Sequence, residues 1–450
     1  MSPHQQIPER TGPARIAAQL LALGLALVLA SCSRQAPLSP LVGVSPLPGH
    51  PGNATADQTG DPQEVVLSLL DVRDAPALAV AYAVTLIETD DEGYAKFLAP
   101  FGTNPDTVAA RMALDPRVAS AERNVLFEPA ETRQQSWAFD DGGGTPKAFM
   151  EQPAGAAIHL SQAHRFSQGA GVTIAILDNG ADASHPALRG HVVGGWNFVD
   201  RNSDFTDRAY GVDSNGNGIL DEALGHGTHV AGIAALTAPA ARLLIVRVLN
   251  SDGRGDVMDV ASGIRWAMAN GARVINLSLG TLQESPAIKQ ALNDARATGV
   301  VCVASAGNWG AEHPEEYPAH AHAALAVAAM DAMGTAAPFT SFGGFVAVSA
   351  PGVGVRSAFP GNRYMLWSGT SMSAPFVSGT SALLLSLHPN WNHDQVIQRL
   401  TATAGPVATS RSEQAGKLGV GSLDAGAALR ADSTMAWNSG GGDGDLTRRK

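Results

Sequence analysis

Four short apolar runs recur in the latter part of the chain: Val172-Thr173-Ile174-Ala175-Ile176-Leu177, Leu243-Leu244-Ile245-Val246-Arg247-Val248, Arg273-Val274-Ile275-Asn276-Leu277 and Val300-Val301-Cys302-Val303. Each is short, rich in β-branched residues and apolar at successive positions, the pattern of a strand buried on both faces. Between them, Asp256 to Ala269 and Ala287 to Thr298 place apolar residues at helical spacing. Strands alternating with helices predict an α/β unit over residues 158–430, with a mostly parallel central sheet covered on both sides. In such sheets chemistry gathers beyond the carboxyl ends of the strands.

Upstream the pattern changes. Ala79 to Ile87 reads as a strand, Asp106 to Leu114 as a helix, and Val118 to Phe127 as a second strand. Residues 64–129 thus form a small α+β unit, joined to the larger one by a polar, Gly-rich connection over 130–157. Residues 32–63 are rich in Pro, Gly and Ser without periodicity and read as a tether. Residues 431–450, with Gly440-Gly441-Gly442 and a basic end, read as a tail.

The first residues are a targeting segment. Arg10 and Arg15 precede an apolar stretch from Ile16 to Ala30, too short for a comfortable membrane span. It ends in Leu29-Ala30-Ser31-Cys32, which resembles a bacterial lipobox. The resemblance implies a signal peptide over 1–31, cleavage before Cys32, and lipidation of that thiol as a membrane anchor. An ordinary signal peptide is the alternative, and both export the protein.

Composition narrows the class. The chain is 45% apolar and 16% charged, a globular balance, and its formal charge of −11 argues against nucleic acid as a partner. Two cysteines cannot build a disulfide framework. Cys302 lies within an apolar run and reads as a core thiol.

Three polar segments stand out. Asp178 ends a buried strand in Ile176-Leu177-Asp178-Asn179-Gly180. His226 opens a small-residue helix in Gly225-His226-Gly227-Thr228-His229-Val230-Ala231-Gly232. Ser371 opens an apolar helix in Ser368-Gly369-Thr370-Ser371-Met372-Ser373-Ala374-Pro375. A Ser hydroxyl becomes a nucleophile when a base takes its proton, and a His serves near neutral pH. A buried carboxylate holds that His in one tautomer. Each residue alone is more often a cap or a satisfied core polar group. His226 and His229 stand three apart, but no third ligand has metalloprotease spacing, so His229 reads as a helix-face residue.

Taken in the order Asp, His, Ser, with GHGTHVAG and GTSMSAP around the latter two and Ala306-Gly307-Asn308 between them, these segments resemble the subtilisin family of serine proteases over residues 158–430. The resemblance implies a subtilisin-like three-layer fold and endopeptidase activity through an acyl-enzyme. Asp178 would orient, His226 would act as base and acid, Ser371 as nucleophile, and Asn308 as side-chain donor of an oxyanion hole. The family usually has a hydroxyl residue after the Asp. Here Asn179 stands there, with an amide able to donate to the carboxylate.

The same resemblance assigns Gly253-Arg254-Gly255 and Ser278-Leu279-Gly280 to two edges between which an extended peptide adds as a strand, implying protein or peptide substrates. Glu316 falls at the floor of the P1 pocket and would favour Lys or Arg there. The alternative is a solvated loop acid. Residues 64–129 resemble a propeptide that assists folding and then inhibits as an intramolecular partner, or else an accessory domain never removed. Cleavage between 130 and 157 would release the catalytic domain from its lipid. The chemistry requires no cofactor. Asp213, Asn215, Asn217, the Ile219 carbonyl and Asp221 or Glu222 resemble the start of a calcium loop, which would be structural, or form a polar turn. The tight calcium loop of many bacterial subtilisins has no counterpart between Leu236 and Ala240.

Overall fold

A computed structural model of the chain describes residues 63–133 and 136–430. The targeting segment, Cys32, nearly all of the tether and the tail lie outside the described residues.

The larger unit is built on a seven-stranded sheet. Its strands, in chain order, are β6 (Thr173–Asp178), β7 (Val192–Asn197), β8 (Arg242–Arg247), β10 (Val274–Leu277), β11 (Val301–Ser305), β12 (Ala324–Met330) and β13 (Val346–Pro351). They lie in the order β13-β12-β11-β10-β6-β8-β7 and every neighbouring pair is parallel. The period of two along each strand decides which side each residue faces. Ile174, Ile176, Leu243, Ile245, Val301 and Val303 join one core. That core is closed by α7 (His226–Thr237) and α10 (Thr370–Leu387). Ala175, Leu177, Leu244, Val246, Cys302 and Ala304 join the other, under α8 (Val257–Ala269) and α9 (Pro286–Ala297). The double-sided burial expected from the apolar runs is present. Cys302 is fully buried, and burial pushes its thiol up to about 12, as befits an inert core residue.

Helix α10 is buried along nearly its whole length, which is why its sequence is apolar or small on every side. It carries Pro375, which has no N–H for the Ser371 carbonyl four residues back. Ser278 Oγ donates to that carbonyl instead, at 2.9 Å. Asn276 Nδ2 donates in turn to Ser278 Oγ at 2.9 Å, and Ser378 Oγ to Asn276 Oδ1 at 2.8 Å. The helix interruption is thus converted into a polar tie between α10 and the end of β10.

Residues 64–123 form a four-stranded antiparallel sheet in the order β2-β3-β1-β4. Its strands are β1 (Glu64–Leu69), β2 (Thr85–Thr89), β3 (Tyr94–Leu98) and β4 (Val118–Arg123), with helices α1 (Ala75–Tyr82) and α2 (Pro105–Met112). Val65, Leu67, Phe97, Leu78, Val108 and Met112 close a core of their own. Val66 and Tyr94 point the other way, into the core under α8. Glu122 accepts from Ala287 N and Ser285 Oγ at the start of α9, at 2.9 and 3.0 Å. Lys96 pairs with Asp256 at the start of α8 at 2.5 Å and with Glu88 at 2.7 Å.

Three expectations change, the first being that Val118 to Phe127 is not one strand: β4 ends at Arg123, and Leu126–Phe127 pairs in a separate sheet. Ala79 to Tyr82 is helical, and the strand begins only at Thr85. An apolar run of this length suits either element, and Pro76 in the first helical turn was the decisive signal. The connection over 130–157 is more ordered than its composition implied. It contains α3 (Ala130–Arg133), α4 (Pro146–Met150) and α5 (Pro153–Ala157), and Ala138, Phe149 and Ala154 enter the main core. Among the described residues no helix is long and apolar enough to cross a membrane.

The core assignment gives a direct test. In a Ser371→Ala background, which avoids self-digestion, Ile176→Ala should cost about 2–5 kcal/mol of stability in denaturant. Val80→Ala, on the exposed side of α1, should stay within about 0.5 kcal/mol. Equal effects would contradict the packing described.

Candidate active site

Asp178 is the last residue of β6, the strand between β8 and β10 where the order of the sheet reverses. Its backbone carbonyl accepts from Val248 N, and its side chain is fully buried. Both carboxylate oxygens lie 2.9 Å from His226 Nδ1. Asn179 N donates to Asp178 Oδ1 at 2.8 Å. The Asn179 side chain turns away: its amide nitrogen donates to the Ala223 carbonyl at 2.6 Å and to Asp207 at 3.2 Å, and its oxygen accepts from Gly227 N at 2.9 Å. The Asn179 side chain therefore braces the start of α7, and it is the Asn179 backbone N–H, not the anticipated side-chain amide, that donates to the Asp178 carboxylate.

His226 is the first residue of α7 and is fully buried, edge-on to the Trp367 ring at 5.3 Å. Ser371 lies in the first turn of α10. Between them stands a group that sequence reasoning missed, the Glu131 carboxylate. Its Oε2 accepts from Ser371 Oγ at 2.5 Å and lies 3.4 Å from His226 Nε2. Its Oε1 accepts from Asn308 Nδ2 at 2.9 Å and from Ser371 N at 3.3 Å. Gly369 makes the approach feasible, since a Cβ there would sit 1.7 Å from Glu131 Oε1. Asn308 is held in orientation by Thr370, whose N and Oγ1 donate to its Oδ1 at 2.9 and 3.0 Å.

The charges follow from this packing. Burial works against a protonated His226, but Asp178 and Glu131 outweigh it and raise the imidazole to about 10. Burial likewise opposes ionised Glu131, yet His226, Ser371 and Asn308 hold it below the usual carboxylate range. His229, one helical turn on, packs on Trp367 and its Nε2 lies 3.2 Å from the Met365 carbonyl. Burial lowers it to about 3, so it is a neutral core histidine, as its helix-face reading required.

Asp207 was not anticipated either. Fully buried, it accepts from Thr228 Oγ1 at 2.6 Å, Gly225 N at 3.0 Å and Asn179 Nδ2 at 3.2 Å, clamping the turn that presents His226. It comes from a polar loop whose sequence carries no signal of burial.

The two edge segments both face residues 126–128. Strand β5 (Leu126–Phe127) pairs antiparallel with β9 (Gly255–Asp256), and Glu128 exchanges both backbone bonds with Gly280, at 3.0 and 2.9 Å. Leu279 is buried, Gly253 lies against Pro129 and Thr132, and the Arg254 backbone closes a turn with Asn250. Glu316 is 2% exposed, which excludes the solvated loop acid. It accepts from Trp309 Nε1 at 2.8 Å and pairs with Arg133 at 2.6 Å, beside Gly280 and Gly307.

The polar loop 213–222 is tied by hydrogen bonds within itself and to its neighbours, while Glu222 Oε1 is buried without a partner among the described residues. Asp221 accepts from Tyr210 N, Gly211 N, Val212 N and Ser251 Oγ. Asp213 accepts from Asn217 N and Gly218 N, the Asn217 side chain accepts from Ile219 N, and Asn215 donates to Glu222 at 2.5 Å. Among the described residues no three acidic, His or Cys side chains are gathered to hold a metal. The expected calcium set of Asp213, Asn215, Asn217, the Ile219 carbonyl and Asp221 or Glu222 draws on amide and backbone oxygens as well as carboxylates, and these groups stand within this one loop.

Asp207 generates a prediction. Burial, working against its hydrogen bonds, raises its carboxyl from 3.8 to about 7. A raised carboxyl contributes stability below its unfolded value and loses it as pH rises through the folded one. Asp207→Asn should therefore remove a decline in melting temperature between about pH 4 and 7. Asp207→Ala, which strands several buried donors, should cost about 1–3 kcal/mol for each. Thermal melts of both across pH, on Ser371→Ala, check this.

Comparison with known proteins gives the family. The subtilase family model matches residues 169–425. The chain is 40% identical over 304 residues to a thermostable alkaline protease of Halalkalibacterium halodurans, spanning 65% of this chain and 74% of that protein. It is 43% identical to subtilisin DY of Bacillus licheniformis over 249 residues, 53% of this chain and 85% of that one. In fold it is similar to fervidolysin of Fervidobacterium pennivorans, a keratinolytic enzyme related to subtilisin, with a TM-score of 0.66, 24% identity, and coverage of 82% of this chain and 61% of that one. The chain belongs to the subtilase family and is a subtilisin-like serine peptidase.

Proposed function

We propose that the chain is a precursor of an endopeptidase in which Ser371 is the nucleophile, His226 its general base and acid, and Asp178 the carboxylate that orients and charges His226. Asn308 Nδ2 and Ser371 N form the oxyanion hole. The observation that carries this reading is the seat of the Glu131 carboxylate. One oxygen takes both proposed oxyanion donors while the other lies against both Ser371 Oγ and His226 Nε2. A tetrahedral intermediate would need donors and base disposed in this way.

Ser371 Oγ attacks the substrate carbonyl and its proton passes to His226 Nε2. Asp178 stabilises the imidazolium, which then protonates the leaving amine. Water releases the acyl group by the same route reversed. The substrate lies between Gly253-Arg254-Gly255 and Ser278-Leu279-Gly280, as supported by residues 126–128 lying there as an added strand. Glu316 prefers Lys or Arg at P1, a reading supported by the guanidinium already seated on it.

Residues 64–129 act as the propeptide. Their antiparallel sheet caps α8 and α9 while the segment after it fills the cleft. Export, and anchoring through lipidated Cys32, rest on the leader sequence alone. No catalytic step requires a metal.

Ser371→Ala should lower kcat on peptide amides by about a millionfold, a size known from subtilisin itself. Asn308→Ala should lower it about 100- to 1,000-fold, again the subtilisin magnitude. Unchanged turnover in either would refute the assignment. On the released enzyme, peptides differing only at P1 should favour Arg and Lys over Leu and Phe, and Glu316→Gln should erase that preference. A preference unmoved by the substitution removes Glu316 from specificity.

A further inference from the structure

The segment in the cleft is laid out as a substrate as far as Glu128, and then leaves that path. Glu128 and Gly280 are an antiparallel pair. In such pairing each step forward on one strand meets a step back on the other. An extended continuation would set Pro129 against Leu279 and Ala130 against Ser278. Ser278 is the edge residue beside the nucleophile: its carbonyl lies 3.4 Å from Ser371 Oγ and its hydroxyl donates to the Ser371 carbonyl. An extended chain would therefore present the bond after Ala130 to Ser371.

The chain does not extend. It turns helically over Ala130–Arg133, with Thr132 Oγ1 donating to the Pro129 carbonyl at 2.8 Å. The turn throws the Glu131 side chain into the position that the Ala130 carbonyl would occupy. Arg133 secures the far end of the turn on Glu316. Ser136 then continues on the other side of the site, with its N on the Glu131 carbonyl at 2.9 Å and its Oγ on the Ser368 carbonyl at 3.0 Å.

We propose that self-processing breaks the Ala130–Glu131 bond, and that the Glu131 carboxylate, lodged in the oxyanion donors, is the latch that keeps this bond intact until the 130–133 turn unwinds. The proposal rests on the peptidase reading above. A scissile carbonyl and the Glu131 carboxylate need the same two donors, Asn308 Nδ2 and Ser371 N, so only one can occupy them. The carboxylate has the advantage of full charge opposite His226. Once it withdraws, Ser371 Oγ bonds to the Ala130 carbonyl carbon and its proton moves to His226. The bond to the Glu131 nitrogen breaks as that nitrogen takes the proton, and one water then frees Ala130 as a carboxylate.

The test follows purified precursors of wild type, Glu131→Ala, Glu131→Gln and Arg133→Ala by intact mass and N-terminal sequencing of the first product, and then assays peptide hydrolysis. The first product should begin at residue 131 in every case. Glu131→Ala should speed the first cut by about tenfold or more, the effect of losing one charge-assisted hydrogen bond. Glu131→Gln, which keeps an acceptor without the charge, should fall between. Arg133→Ala leaves Glu131 in place and loosens the turn from its other end, so it too should be faster. A first product beginning after Arg133 or elsewhere, a slower Arg133→Ala, or a Glu131→Ala precursor no faster than wild type overturns the proposal. If the first cut lies elsewhere but the product hydrolyses peptides, the peptidase reading survives. If nothing is cut and no activity emerges, both fall.

Discussion

The central sheet must be covered on both faces, and this constraint organises everything else. With Ile174 and Ile176 turned to one core and Ala175 and Leu177 to the other, the middle of β6 is wholly apolar. The first position where a charge can appear is the strand's carboxyl end, and Asp178 stands there. Ser278 follows the end of β10, and Asn308 lies shortly beyond the end of β11. The parallel order brings these ends to one side, so residues far apart in sequence share one site without any of them disturbing the core.

At that site the difficulty is charge. Asp178, Glu131 and His226 are all fully buried, a placement tolerated only because each faces an opposite charge or a donor. Asp178 holds one nitrogen of the imidazole and Glu131 faces the other. The three groups thus form a closed electrostatic unit, in which two carboxylates favour the protonated imidazole. Asp207, Asn179 and Thr228 form a second polar layer behind it that fixes the start of α7. Thr370 does the same for Asn308, and the Ser278–Asn276–Ser378 chain for the nucleophile's helix.

The small sheet explains how the cleft is filled. One face builds its own core, while the other contributes Val66 and Tyr94 to the core beneath α8. Glu122 and Lys96 meet the beginnings of α9 and α8. With the sheet seated on those helices, the chain leaving β4 is delivered along β9 and Gly280, directly toward Ser371. Docking and occupation of the cleft are one geometric consequence.

Much of this was legible in the chain. Apolar runs set the strands, because burial on both faces leaves a continuous local signature. Asp178, His226, Ser371 and Asn308 were legible because each sits in a short segment whose small neighbours are demanded by close packing around it. Local pattern failed where it was degenerate, as at Ala79–Tyr82, which suits helix or strand until the fold places it. It also failed where function arises from meeting rather than from spacing. Glu131 lies 240 positions from Ser371, and nothing in Ala130-Glu131-Thr132 marks it for an oxyanion hole. The pairing of Arg133 with Glu316, the burial of Asp207 and the redirection of Asn179 were likewise decided by tertiary structure. The sequence determined which residues could do chemistry and where the strands would carry them. Only the folded chain decided which charge each would face, because electrostatic partners are chosen by proximity in space, and no local rule of sequence encodes that.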